Sequence, residues 1–144
     1  IIQHRDHVVI MTEMIHDARI VPLSTGPELH DNIRLWSGDS RGYWDGETLV
    51  VESSNFNGMS QSFLGSPYGD SYNKLLTERF TRVNAATIEY EFTVDDLGTF
   101  TDKIIAMVPM TKVDGLLYEY ACHEGNYGMT NLLRGGRREE LDAQ

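Results

Sequence analysis

One cysteine, four prolines and no long apolar run are the scarcities that bound this 144-residue chain. With Cys122 alone, an internal disulfide is excluded, and so is a thiolate-rich zinc or iron–sulfur site within one chain. No segment approaches the roughly 18 apolar residues of a membrane-spanning helix, so no membrane span is expected. No charged-then-apolar leader opens the chain, yet Ile1 is not an initiator methionine, which points to a leader or longer N-terminal region removed before it. Basic residues are outnumbered: 12 Lys and Arg against 22 Asp and Glu leave a net charge of −10. That field repels phosphate backbones and anionic membrane surfaces, so nucleic acid is not an expected partner. The basic cluster Arg134, Arg137 and Arg138 is followed by Glu139, Glu140 and Asp142, which reads as a self-paired helix surface.

Several catalytic signatures are missing as well. There is no Gly-x-Gly-x-x-Gly before a helix, no phosphate-binding loop, no Gly-x-Ser-x-Gly elbow, no His-Glu-x-x-His and no His-x-His of cupin type. No cofactor and no metal are therefore expected. His4 and His7 share a face only on a helix; on a strand they point apart and read as structural, while His30 lies in a Pro- and Asp-rich loop and reads as exposed.

The composition that remains, 40% hydrophobic and 24% charged, is that of an ordinary globular protein, and 144 residues predict one domain over 1–144. Gly, Asn and Asp divide the chain into short segments rich in β-branched and aromatic residues. Residues 7–14 and 18–23 read as a hairpin, with Pro22 at a strand end. Residues 24–40 read as a loop. Asp45-Gly46 is the best turn signal, a type I′ turn between two strands. Residues 55–73 read as a disordered tip or a lid. Residues 75–83 and 87–94 read as strands, the second alternating Ile88, Tyr90, Phe92 and Val94 with Thr87, Glu89, Glu91 and Thr93. Residues 100–113 read as a bent strand broken at Pro109, Asp114-Gly115 as a turn into a strand over 116–122, and 130–141 as the one helix. About eight sequential strands without helical crossovers predict a mainly β fold: an up-and-down, lipocalin-like barrel or strongly curled sheet with a short C-terminal helix.

Polar residues inside apolar strands supply the candidate site. Glu13, His16 and Arg19 form one group, and Glu119 and His123 another; on a strand the latter two share a face with Leu117 and Ala121. A carboxylate beside an imidazole raises its proton affinity and orients its ring, as a general acid–base pair requires. The same residues also suit a structural pairing. Trp36, Trp44, Tyr90, Tyr118 and Tyr120 could line a pocket with polar tips, or fill a core. Asp95 and Asp96 before Gly98 read as turn chemistry, and Glu78-Arg79 in a strand puts opposite charges on opposite faces, so that one faces inward or is covered by a loop. Cys122 reads as a buried, inert thiol, since its strand neighbour His123 projects to the other side.

The run Trp36-Ser37-Gly38-Asp39-Ser40-Arg41-Gly42-Tyr43-Trp44-Asp45-Gly46-Glu47-Thr48-Leu49-Val50-Val51, with Asn55-Phe56, resembles a widespread group of bacterial proteins. Their usual wording is close to W-x-G-D-S-x-G-x-W-E-G-D-T-L-V-V-x-T-x-N-F, and the resemblance continues through residues 78–80, 90–94 and 118–127. Asp45 and Glu47 exchange the group's usual Glu and Asp around the turn glycine. The group has no established activity; its members look exported and longer at the N-terminus, so the resemblance implies a periplasmic or secreted home. Three readings follow: a small-molecule-binding, lipocalin-like barrel; a hydrolase or lyase using His123 or His16 with Glu119 or Glu13; and a structural or homodimeric interaction module.

Overall fold

The strongest turn signal closes the central hairpin of the fold. Strand β4 (Asp39–Asp45) pairs antiparallel with β5 (Thr48–Ser54), Asp45 opposite Thr48. The loop residues are Gly46 and Glu47, and of these only Gly46 has positive φ, +61°. Positive φ at the first central residue alone is the pattern of a type II′ turn, so the turn sits one residue later than the expected type I′ pair. Asp45 is thereby left in the strand, and its carboxylate accepts a hydrogen bond from Arg79 Nη2 at 2.9 Å.

The computed structural model describes residues 1–14, 17–24, 26–27, 29–59, 72–118, 125 and 127–142. They form two antiparallel sheets. The smaller comprises β1 (Ile2–Gln3), β2 (His7–Met11) and β3 (Ala18–Pro22) in sequential order, with the 7–14 and 18–23 hairpin as expected. The larger continues from β4 and β5 through β6 (Leu75–Asn84), β7 (Thr87–Asp95) and β8 (Ile104–Thr111). Between β6 and β7 the ladder carries a bulge after Arg82, and the turn is held by Asn84 Oδ1, which accepts the Ala86 N–H at 2.8 Å. After β7, Asp96 does the turn work expected of it: its carboxylate accepts from the Gly98 N–H and from Thr99 Oγ1.

Strict alternation gives the larger sheet two unlike faces. The register places Leu49 and Val51 of β5 beside Glu78 and Phe80 of β6, and these beside Tyr90 and Phe92 of β7. The other face carries Glu52, Arg79, Glu89 and Glu91. The apolar face is the inner one, because β2 and β3 lie over it: Val8 and Val21 form one buried cluster with Leu49, Val51 and Phe80, with Ile10, Leu23, Ile88 and Tyr90 packed around it. At Gly42 the two sheets are in close contact. A Cβ there would lie 2.9 Å from Val21 Cγ1 and 3.0 Å from Leu23 Cδ2, so hydrogen is the only side chain the contact admits.

Among the described residues the larger sheet is open. Its order runs from β4 to β8 with no pairing between those edges, and no closed barrel is found among the described residues. On the β8 side, the strand expected over 116–122 is not formed at its described positions. Gly115 lacks the positive φ of a tight type I′ hairpin, and Leu116–Tyr118 are exposed and outside any strand; residues 119–122 lie outside the described residues. Strand β8 also runs unbroken through Pro109, where a break was expected. The C-terminal helix, α1 (Gly128–Asp142), lies where the sequence predicts it but buries none of its side chains.

Candidate functional site

Alternation along β6 places Glu78 between Leu76 and Phe80 on the apolar face, in a row that side-chain chemistry alone would reserve for hydrophobes. Its side chain is 6% exposed. A carboxylate so placed needs compensation, and two groups supply it. Tyr90 Oη, from the neighbouring strand, donates to Glu78 Oε1 at 2.9 Å. Arg19 of β3 reaches across from the smaller sheet and brings Nη2 to 2.7 Å from Oε2, with its own side chain 18% exposed. The Arg19 contact lies off the N–H direction: the buried Oε2 is neutralised by the guanidinium charge, yet has no well-aligned donor among the described residues. Arg19, Glu78 and Tyr90 therefore form a polar bridge between the sheets inside apolar surroundings.

Tyr90 is also the middle of an aromatic row. Its ring stacks on Phe80 at 4.8 Å between centroids and meets Phe92 at 5.6 Å. Towards the hairpin end of the sheet, beyond Phe80, the cover provided by β2 and β3 gives out and a cleft of about 460 Å³ opens. Trp44, Leu49, Phe80, Ile88 and Met110 give it apolar walls, and residues Ile1 and Gln3 pass along one side. Charged side chains stand among its lining: Arg82 and Lys112 against a single carboxylate, Glu47. The bulge at Arg82 and the turn at Asn84–Ala86 shape this end, since Asn84, Ala85 and Ala86 all border the opening.

The expected site residues are distributed unevenly over this geometry. Arg19 and Tyr90 meet at Glu78, and Trp44 lines the cleft. Trp36 is 67% exposed in the loop before β4, and Tyr118 is exposed after β8, so neither joins the others. Glu13 stands exposed in the turn after β2. His16, Glu119, Tyr120 and His123 lie outside the described residues, as does Cys122. Among the described residues no group of three or more His, Cys, Asp or Glu side chains could hold a metal ion, and no helix is long and apolar enough to cross a membrane.

Glu78 and Arg82 are the two residues that reading by segment underweights. The parity of β6 identifies both: counting in twos from Phe80 gives Glu78 one way and Arg82 the other, so a strand with one apolar row carries a charge at each side of its aromatic. Comparison of the chain with family models, curated proteins and solved structures finds no match.

Proposed function

We propose that this protein binds a small, mostly apolar molecule bearing one anionic group, held in the cleft at the hairpin end of the inner sheet face. The observation that carries the reading is the cleft itself, with apolar walls formed by Trp44, Leu49, Phe80, Ile88 and Met110 and a cationic excess from Arg82 and Lys112. Its volume of about 460 Å³ falls within the range of small-molecule sites, which combine apolar walls with a few polar groups that fix orientation. Burial of the ligand body against Trp44 and Phe80 supplies affinity, and the Arg82 guanidinium orients the acid group. The Arg19–Glu78–Tyr90 bridge holds the two sheets at the spacing that keeps the cleft open. A lipocalin-like barrel, membership of the bacterial group that the Trp36–Val51 motif resembles, and a periplasmic or secreted location belong to the same proposal.

The test uses anilinonaphthalene sulfonate, an apolar fluorophore with one anionic group, on a Trp36→Phe background in which Trp44 is the remaining tryptophan. Saturable binding with energy transfer from Trp44 is expected, together with displacement by medium-chain fatty acids and a weakening of about fivefold or more in Arg82→Glu. Binding without saturation, or saturable binding that leaves Trp44 emission unchanged, overturns the reading.

A further inference from the structure

Among the described residues strand β8 ends the larger sheet, and it carries no charged residue from Ile104 to Thr111 in a chain that is 24% charged. Its direction of hydrogen bonding follows from one rung. The Lys112 N–H donates to the Ala86 carbonyl at 2.7 Å, and the ladder runs from there without a bulge to Val94 opposite Ile104. In an antiparallel ladder, bonding alternates residue by residue, so the even-numbered residues of β8 bond inward to β7 and the odd-numbered ones turn their backbone groups outward. Ile105 and Met107 present both N–H and C=O to the open edge, and Pro109 presents C=O alone, at a position where proline costs the sheet nothing. The side chains flanking this edge are exposed, Ile105 at 66% and Met107 at 56%. An uncharged edge with apolar side chains on both faces is a template for another strand, blunted only at Pro109, which offers an acceptor without a donor.

We propose that the β8 edge is a homodimer interface in which two copies pair antiparallel about a two-fold axis at Met107, joining their larger sheets into one. Charge selects both the occupant and the register. With Met107 opposite Met107 of the second copy, Ile105 faces Pro109, and the same register carried just past the strand ends brings Lys112 opposite Asp102 at each end of the junction. Shifting the axis to Ala106 sets Lys112 against Phe100, and shifting it to Val108 sets Lys112 against Ile104, burying a cation beside a hydrophobe. Lys112 makes no ion pair among the described residues, while the neighbouring cation Lys103 is engaged with Asp95 at 2.9 Å. The interface shares Lys112 with the cleft, but its strand pairing does not require that a ligand bind there.

The test is the mass of the chain in solution by sedimentation equilibrium over a wide concentration range, on wild type and four variants. Wild type is expected to pass from one-chain to two-chain mass. Met107→Pro removes an outward N–H only, so it keeps the circular dichroism of wild type and remains at one-chain mass. Lys112→Glu and Asp102→Lys each weaken association about fivefold or more, and the combined Lys112→Glu/Asp102→Lys protein restores it. Should Met107→Pro not fold, Met107→Cys in a Cys122→Ser background reads the register directly. The Cα atoms of a directly opposed, hydrogen-bonded pair lie about 5.5 Å apart, within disulfide reach, so mild oxidation links the dimer covalently. A wild type at one-chain mass throughout overturns the proposal, including the case in which protected odd-numbered β8 amides show the edge covered by the same chain. A dimer unaffected by Met107→Pro, a charge exchange that fails to restore association, or absence of the disulfide overturns it equally.

Discussion

Arg19 and Glu78 sit on different sheets, yet their charged groups approach to 2.7 Å, with the carboxylate almost wholly buried. Removing one partner strands a charge in apolar surroundings, whereas removing both exchanges a pair for packing. Arg19→Met is therefore expected to destabilise the protein by about 3 kcal/mol, at the low end for a buried pair because Arg19 retains some contact with water. The double variant Arg19→Met/Glu78→Leu should recover most of that loss. Urea unfolding of the four proteins in the cycle measures the coupling, and simple additivity of the two single losses would show that the contact is incidental.

The same sheet interface limits side-chain volume at Gly42. An added Cβ would come within 3.0 Å of both Val21 and Leu23. Neither neighbour is free to withdraw, since Val21 is fully buried in the core cluster and Leu23 packs against it. Gly42→Ala should thus cost about 2 kcal/mol by overpacking, and the paired replacement Gly42→Ala/Val21→Ala should regain part of it. Thermal unfolding distinguishes these outcomes, and a neutral Gly42→Ala would mean that the sheets are not in close contact there.

These two positions also mark how far the sequence was legible. Period-two alternation located β7 almost to the residue, and Asp45-Gly46 located the central hairpin, because both signals are local. The pairing of Arg19 with Glu78 spans 59 positions of the chain and has no local signature; it depends on β3 folding back over β6. Barrel closure, which the described residues do not show, is not legible in strand count for a related reason. Closure requires the two edges to meet, which is a property of sheet curvature and of the segment after β8, not of any one strand. Proline removes an N–H and so predicts a break at Pro109, but on an outward-facing edge position of the sheet that N–H has no partner within the chain's own ladder to lose.

At the tip of the central hairpin, backbone conformation outweighs charge pairing. Gly46 holds φ at +61°, a conformation that costs an L side chain about 1 kcal/mol, although a Cβ there would meet no other atom. The adjacent ion pair of Asp45 with Arg79 is mostly exposed, with side-chain accessibilities of 60% and 37%. Gly46→Ala should accordingly lower stability by about 1 kcal/mol, and Asp45→Asn by less than about 0.5 kcal/mol. Urea midpoints in low and high salt provide the check, since the Asp45 effect should shrink with ionic strength and the Gly46 effect should not.

Lys103 contributes to the expected response to alkali. Its hydrogen bond to the Asp95 carboxylate, together with the charges of Asp95 and Asp102, raises its pKa above the ordinary lysine value, against a smaller opposing effect of desolvation. A group that holds its proton more tightly when folded stabilises the fold fully below its unfolded pKa, about 10.4, and loses that contribution as pH rises through the folded value. Wild type should therefore be more stable than Lys103→Met at neutral pH by a small margin, because the pair is largely solvent-exposed. Above the folded pKa of Lys103, Asp95 faces a neutral amine in wild type and a thioether in the variant, so the charge-dependent part of the difference vanishes. Unfolding midpoints of both proteins between pH 8 and about pH 11.5 test this. A gap that widens as pH rises would mean that the Asp95 contact favours the neutral amine, contrary to the geometry of the pair.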